Sequence, residues 1–511
     1  MSGIDVARHD ALVVGGGPNG LAAAITLAES GRSVLVLEAA AGAGGAVATE
    51  ELTLPGFRHD VFSSVYPAGA ASPVFEAMGL ERHGLRWVHP RYCAAHPLPG
   101  GRAVVLAADL DETAAGLDAL QPGDGARWRD FAAPYLESFG ALRRTMLSGF
   151  PPVRGPVELL ARLGPQGALE FARLLLMPAD ALARELFTSS GARAWLYGSA
   201  MHGDALPLLA GSAIAAAYLN LLGHAVGWPS PEGGAGRLVD ALCGRLAELG
   251  GSVRTSARVA RVRVDGGRAT GVELDGGETL GAPIVIADVM PHALLALAGP
   301  DLPRRYAGAL GRYRYGPATV KVDWALSGPV PWEAPEVREA GTVHVGGEEE
   351  EVLAATAAAH REWPERPFLL FGQQSIADPT RAPAGSHTAW AYTHGPPGDR
   401  TADGERVADR VEAQVERFAP GFRNRILARH VLSPADLERR NANLVAGDVA
   451  GGSTALDQLV FRPLPSLAPY RTPVGGLYLG SAATFPGGAA HGVPGHAAAR
   501  LALAEARLRR W

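Results

Sequence analysis

Two features of this chain could do chemistry. The first is Gly15-Gly16-Gly17-Pro18-Asn19-Gly20, a Gly-x-Gly-x-x-Gly run. Alone it is weak, because glycine fills 65 of 511 positions and about one chance match is expected. Its surroundings make it specific. An apolar strand precedes it, a helix opens inside it, Ala24 permits close helix–strand packing, and Glu38 ends the next strand. In such a unit Gly15 makes the tight turn, Gly17 lets the backbone approach a pyrophosphate, and Gly20 lets helix and strand close together. Asn19 stands in the same loop, and the helix N-terminus faces the phosphates. Glu38 accepts hydrogen bonds from an adenosine ribose and repels a 2′-phosphate.

The second feature is a single residue. Lysine and arginine together number 47, and Lys321 is the only lysine. The Ala, Gly, Arg and Pro richness suits a GC-rich genome that drives surface cations to arginine. A sole lysine there is either a neutral survivor or a group with a task that arginine's planar fork cannot perform.

The elements that must position these residues can be read in outline. Ala11–Val14 and Ser33–Glu38 read as buried strands around a helix from Leu21 to Ser30, a βαβ opening. The stretch from Tyr66 to Trp228 reads as helical and loop-rich. Val253–Leu280 reads as a meander with turns at Asp265–Gly267 and Asp275–Gly277. Strands are expected at Pro283–Asp288, Tyr315–Trp324, Pro367–Gly372 and Leu477–Gly480, and a last helix at Gly495–Arg509. Glu348–Glu351 reads as a solvated helix start. Ala205–Pro231 carries no Asp, Glu, Lys or Arg. Pro207, Gly211, Asn220, Gly223 and His224 interrupt it, so it reads as a buried helix, or else as a membrane-dipping or tunnel-lining segment, and not as a membrane span.

Beyond Glu38 come Gly44-Gly45-Ala46-Val47-Ala48-Thr49 and Gly56-Phe57-Arg58-His59-Asp60. Near the C-terminus stand Gly476-Leu477-Tyr478-Leu479-Gly480-Ser481, Pro486-Gly487-Gly488 and His491-Gly492-Val493-Pro494-Gly495. These stretches resemble the FAD-binding superfamily of monoamine oxidases, phytoene desaturases and Rab GDP-dissociation inhibitors, and most of all its phytoene-desaturase-like members. The resemblance implies an α/β fold: a Rossmann-like FAD-binding domain of the glutathione-reductase type, interleaved with an α+β substrate-binding domain. The expected division is 1–65, 228–295 and 470–511 for FAD, and 66–227 and 296–469 for substrate. It also implies non-covalent FAD with Gly45 along the pyrophosphate, Val259 at the adenine, and Gly480 and Ser481 at the ribityl chain. Gly492 and Val493 would cap the last helix at the flavin pyrimidine, where a helix N-terminus stabilises the negative charge of reduced flavin. Ala46 stands where the family often has Arg, and Ser481 where related flavoproteins often have Asp. Both departures predict weaker flavin retention.

Tyr315-Gly316-Pro317-Ala318-Thr319-Val320-Lys321 resembles the amine-oxidase strand whose lysine faces flavin N5 through a water. That gives Lys321 a catalytic role at the reacting edge. His491 has two uses: contact with flavin or substrate, or satisfaction by nearby backbone. Tyr313, Tyr315, Trp324 and Trp332 are candidates for a cavity wall, although core packing is the commoner use of any one of them. His224 and Trp228 are weaker candidates. By the resemblance, the substrate is a small hydrophobic molecule, isoprenoid or polyene-like, dehydrogenated at C–C bonds by hydride transfer to flavin. The rival readings are an amine-oxidase-like flavoenzyme, and a redox-neutral isomerase or cyclase or a non-enzymatic prenyl-lipid binder. No second glycine fingerprint marks a nicotinamide domain, which leaves oxygen, a quinone or another acceptor as reoxidant.

Composition narrows the rest. A formal net charge of −5 and a pI near 6.3 argue against a nucleic-acid footprint. Two distant cysteines, Cys93 and Cys243, form neither a disulfide framework nor a metal spacing, and no metal site is expected. With Asp5, Arg8, His9 and Asp10 in place of an apolar leader, the expectation is a cytoplasmic protein whose membrane contact, if any, is peripheral.

Overall fold

The computed structural model of the protein describes residues 8–508. Ala11–Val14 is buried at every position, as a strand covered on both faces must be. It is the middle of a five-stranded sheet ordered Leu477–Leu479, Ile284–Ala287, Ala11–Val14, Val34–Leu37, Ser252–Arg254, with all four pairings parallel. Helix Pro18–Glu29 follows the first strand at once, with Pro18 at its first position. The expected βαβ opening is therefore present with shifted edges, and the strands at 284–287 and 477–479 are where the sequence puts them.

The meander is shorter than expected. Ser252–Arg254 pairs in parallel with Leu35–Leu37 and belongs to the five-stranded sheet. The antiparallel meander is Val259–Asp265, Arg268–Leu274 and Thr279–Gly281. Its first turn needs two left-handed residues in succession, which Gly266 and Gly267 supply at φ 54° and 75°.

A second sheet of seven strands runs Ile426–Leu432, Ala318–Leu326, His387–Gly395, Leu369–Gly372, Ala340–Val345, Tyr92–Leu98, Arg102–Ala107. The last two lie in the stretch read as helix and loop, which corrects that reading. Tyr92–Leu98 is buried throughout, so it shows no polar–apolar alternation, and Pro97 inside it reads as a breaker. The strand Ala318–Leu326, second from the edge, does alternate in residue type. Val320, Val322, Trp324 and Leu326 pack into an apolar core with Phe371, Ala391 and Phe422. The opposite face carries Thr319, Lys321 and Asp323, paired across the ladder with His394, Tyr392 and Trp390. The sheet thus has one apolar face and one face of polar and aromatic groups.

Within Ala205–Pro231 the helix is Ser212–Val226, largely buried. Among the described residues no helix is long and apolar enough to cross a membrane. Glu348 caps helix Glu349–Ala358, as the acidic run suggests. The solvated reading fails for Glu349, which is buried against Arg184 at 2.7 Å and Arg193 at 2.8 Å. The final helix begins at Val493 and is described to Leu508; Arg509 lies outside the described residues.

Candidate functional site

Gly15, Glu38, Asp288 and Gly480 each follow the carboxyl end of a neighbouring parallel strand, the edge where open α/β sheets bind ligands. Close approach requires Gly20 and crowds Gly17. A Cβ on Gly20 would lie 2.0 Å from the Gly15 carbonyl oxygen, and one on Gly17 would lie 3.0 Å from Asp288 Oδ2. Gly45, at φ 57°, brings the second glycine loop onto the first: its Cβ would stand 3.1 Å from Gly17 Cα. The Gly44 amide donates to the Gly16 carbonyl at 2.9 Å. Glu38 is fixed by amides of Gly16 and Ala40, each at 2.8 Å. Val259 is buried two residues after Ala257, whose amide donates to the Glu38 carbonyl at 2.8 Å.

The closing segment meets this cleft from the other side. The Gly480 amide donates to the Ala287 carbonyl at 2.9 Å, and Ser481 Oγ accepts from the Ala483 amide at 3.3 Å. Gly492 sits at φ 72°, where its Cβ would meet Ala22 at 2.9 Å. The last helix, from Val493, therefore packs directly on the phosphate helix. His491 Nδ1 accepts from the Val493 amide at 3.2 Å, and burial lowers the ring's pKa to about 4. Backbone thus satisfies Nδ1 of this ring.

An adenine dinucleotide fits this cradle. Asn19 Oδ1 is buried at the helix N-terminus without a hydrogen-bond partner, and side chains at Gly17 or Gly45 would fill the groove beside it. Gly15, Gly17, Asn19, Gly20, Gly45, Glu38, Val259, Gly480, Ser481, Gly492 and Val493 are the residues proposed to hold it. Ala46 itself supplies no cation next to Gly45, and its side chain packs against the cluster of Val61, Leu432, Leu437 and Leu444.

Lys321 is no surface survivor, being 3% exposed. Its Nζ donates to Asp323 Oδ1 and Oδ2 at 2.5 and 2.6 Å and to the Asp60 carbonyl at 3.0 Å. It also lies 5.8 Å from the Trp390 ring centroid. Asp60 belongs to a second buried group: Arg381 donates to it at 2.9 Å and to Asp378 at 2.7 Å. Burial pushes Asp323 up to about 6, with Lys321 opposing. Further along the same face His394 Nε2 lies 2.8 Å from Asp204 Oδ1. Burial alone would discharge this ring, but the Asp204 carboxylate raises it above its ordinary value. Trp390 and Tyr392 stack between these groups, 5.9 Å apart and 8° from parallel, and Tyr392 keeps part of its surface accessible.

The other aromatic candidates are structural. Trp324 and Trp332 are in the apolar core, Tyr313 donates to the Gly451 carbonyl at 2.7 Å, and Trp228 to that of Leu219 at 3.1 Å. His224 accepts from Trp128 Nε1 at 3.1 Å, and Tyr315 pairs with His292 at 3.0 Å. Asp288, Asp204 and His394 escaped the sequence reading. Asp288 carried one usable signal, its place directly after an apolar strand.

The profile of the family described as flavin containing amine oxidoreductase matches residues 19–501. The chain is 30% identical to pyridine nucleotide-disulfide oxidoreductase domain-containing protein 2 of Mus musculus, over 97% of this chain and 93% of that protein. It is 25% identical to one component of the limonene dehydrogenase of Castellaniella defragrans, over 99% and 96% of the two chains. A lycopene-forming phytoene desaturase of Paracoccus sp. is 28% identical over 52% of this chain and 53% of that one. Among solved structures, an oxidoreductase from Methanosarcina mazei superposes with a TM-score of 0.63 at 17% identity, covering 97% and 99% of the chains. Cyclohexylamine oxidase from Brevibacterium oxydans gives 0.60 at 19%, covering 98% and 100%. The chain belongs to the flavin containing amine oxidoreductase family, and it is an FAD-dependent oxidoreductase.

Proposed function

We propose that this oxidoreductase dehydrogenates C–C bonds of a hydrophobic, isoprenoid or polyene-like substrate. The observation that carries the reading is the stacked Trp390–Tyr392 pair on the inner face of the seven-stranded sheet, a flat wall suited to a conjugated or branched hydrocarbon. The near full-length likeness to a limonene dehydrogenase component supports it. FAD supplies a hydride-accepting ring when bound. The chain's own part is to hold the substrate against that wall, exclude water, and keep the Lys321–Asp323 and His394–Asp204 pairs charged beside it. Lys321 keeps the proposed place at the flavin N5 edge, where an ammonium would favour reduced, anionic flavin. The domain division proposed from the sequence gives FAD the five-stranded sheet and substrate the seven-stranded one. Incubation with isoprenoid hydrocarbons should yield a product lighter by one H2 on mass spectrometry; hydrogen peroxide release with amines, and none with hydrocarbons, would return the reading to an amine oxidase.

A lipid-soluble substrate calls for a route from the bilayer, and we infer a peripheral membrane face. Helix Arg154–Leu176 and the residue before it turn Val153, Val157, Leu160, Leu169 and Leu176 outward, with Val157 and Leu169 64% and 68% exposed. Leu208 and Leu209 adjoin it, since the Gly211 amide donates to the Leu176 carbonyl at 3.1 Å. Arg154 and Arg162, before the kink at Gly164, and Arg173, after it, are exposed along the same segment, where they suit anionic headgroups.

A further inference from the structure

Asp288 follows the strand Ile284–Ala287 and reaches into the glycine loop. Its Oδ2 accepts from the Gly20 amide at 2.9 Å and lies 3.0 Å from where a Gly17 Cβ would be. Gly17 is the residue whose missing side chain lets a pyrophosphate approach. A carboxylate therefore stands beside the path of a doubly charged anion.

Among the described residues, the groups named around it offer no cation. The phosphate helix presents the Gly20 amide and Asn19, whose Oδ1 is unpartnered. The second strand presents Glu38, an anion that raises the Asp288 carboxyl further. The loop at 441–443 presents Asn443, which donates to the Asp288 carbonyl at 3.1 Å and accepts from the Met290 amide at 3.0 Å. The closing strand ends in Gly480 and Ser481, and the second glycine loop carries Ala46. Burial pushes the Asp288 carboxyl up to about 7, with the Gly20 amide opposing and Glu38 adding to the rise.

We propose that Asp288 is a cofactor-site residue that takes up one proton from solvent when the FAD pyrophosphate binds. The structure suits the neutral form. Oδ2 can accept from Gly20 as the carbonyl oxygen while Oδ1 carries the proton, so uptake breaks no hydrogen bond. The proton replaces the missing cation and removes a like-charge repulsion. Raising the pH through the free protein's Asp288 value makes that uptake costlier, so FAD affinity falls by about tenfold per pH unit in the limit of one linked proton.

The test is calorimetric titration of FAD into the apoprotein in pairs of buffers with different ionisation enthalpies. Uptake should be near zero at pH 6, where the acid is already protonated, and should approach one proton at pH 8. Asp288→Asn should bind with no uptake and a flat pH dependence. Adenosine diphosphate ribose, which carries the same pyrophosphate diester, should show the same uptake as FAD, and riboflavin, which lacks it, none. Absence of uptake by the wild-type protein at pH 8 would overturn the proposal, and so would uptake that persists in Asp288→Asn. Should that variant fail to fold, the wild-type buffer pairs and the two fragments decide alone.

Discussion

A Cβ placed on Gly495 would lie 1.8 Å from the carbonyl oxygen of Asn19. The C-terminal helix and the phosphate helix, from opposite ends of the chain, therefore touch backbone to backbone. Thr26 Oγ1 and His496 Nδ1, 2.9 Å apart, fasten the same contact further along the phosphate helix. Gly495→Ala should force the helices apart, at about 1–3 kcal/mol of stability, and should lower FAD occupancy. Thermal melts and the flavin-to-protein absorbance ratio measure the two effects; an unchanged melt and full occupancy would show that the helices slide freely.

The cofactor released on heating should be FAD and not FMN, because the cradle is built for a pyrophosphate and Glu38 for an adenosine ribose. Gly17→Val should abolish binding, its side chain filling the groove beside Asp288. A yellow Gly17→Val protein would mean that the pyrophosphate runs elsewhere.

Lys321→Met should leave FAD bound and slow reoxidation by about 10- to 1000-fold, the usual range for losing one preorganised charge. It also leaves Asp323 buried without its partner, at about 3–5 kcal/mol. Lys321 holds the Asp323 value down against burial, so its loss lets that value rise further, and the penalty grows as pH rises and fades toward acid. Lys321→Met/Asp323→Asn should recover much of the stability and keep the slow reoxidation. Wild-type reoxidation in either variant would remove Lys321 from the chemistry.

The His394–Asp204 pair predicts the opposite pH sense. A histidine whose folded-state value is raised stabilises fully below its unfolded value of 6.5, and the gain is lost as pH rises through the folded value. The melting-temperature gap between wild type and Asp204→Asn should be widest below pH 6.5 and should narrow above it. A gap that widens with pH would show that the ring is neutral in the folded protein.

The protein should co-sediment with anionic vesicles and come off in salt or detergent. Val157→Asp and Leu169→Asp should each weaken this, while Glu336→Gln, on an exposed segment of another element, should not. Equal binding by all variants would place the membrane contact on another surface.

How much of this was legible follows from what constrains each residue. The glycine loop could be read because Gly15 and Gly20 meet backbone at distances that real side chains essentially never show. Lys321 could be singled out by rarity, and Asp323, two residues along the same strand face, was within reach of the same reasoning. Tyr92–Ala107 could not be read as strands, because burial on both faces of Tyr92–Leu98 erases alternation. His394 and Asp204 meet only through tertiary folding, and no local spacing announces such a pair.

Anaerobic mixing of the holoprotein with a panel of isoprenoid hydrocarbons and a panel of amines tests the central reading most directly. Loss of the yellow flavin absorbance with a hydrocarbon, and recovery on admitting an acceptor, is the predicted result. Bleaching by amines alone, with every hydrocarbon inert, would contradict it.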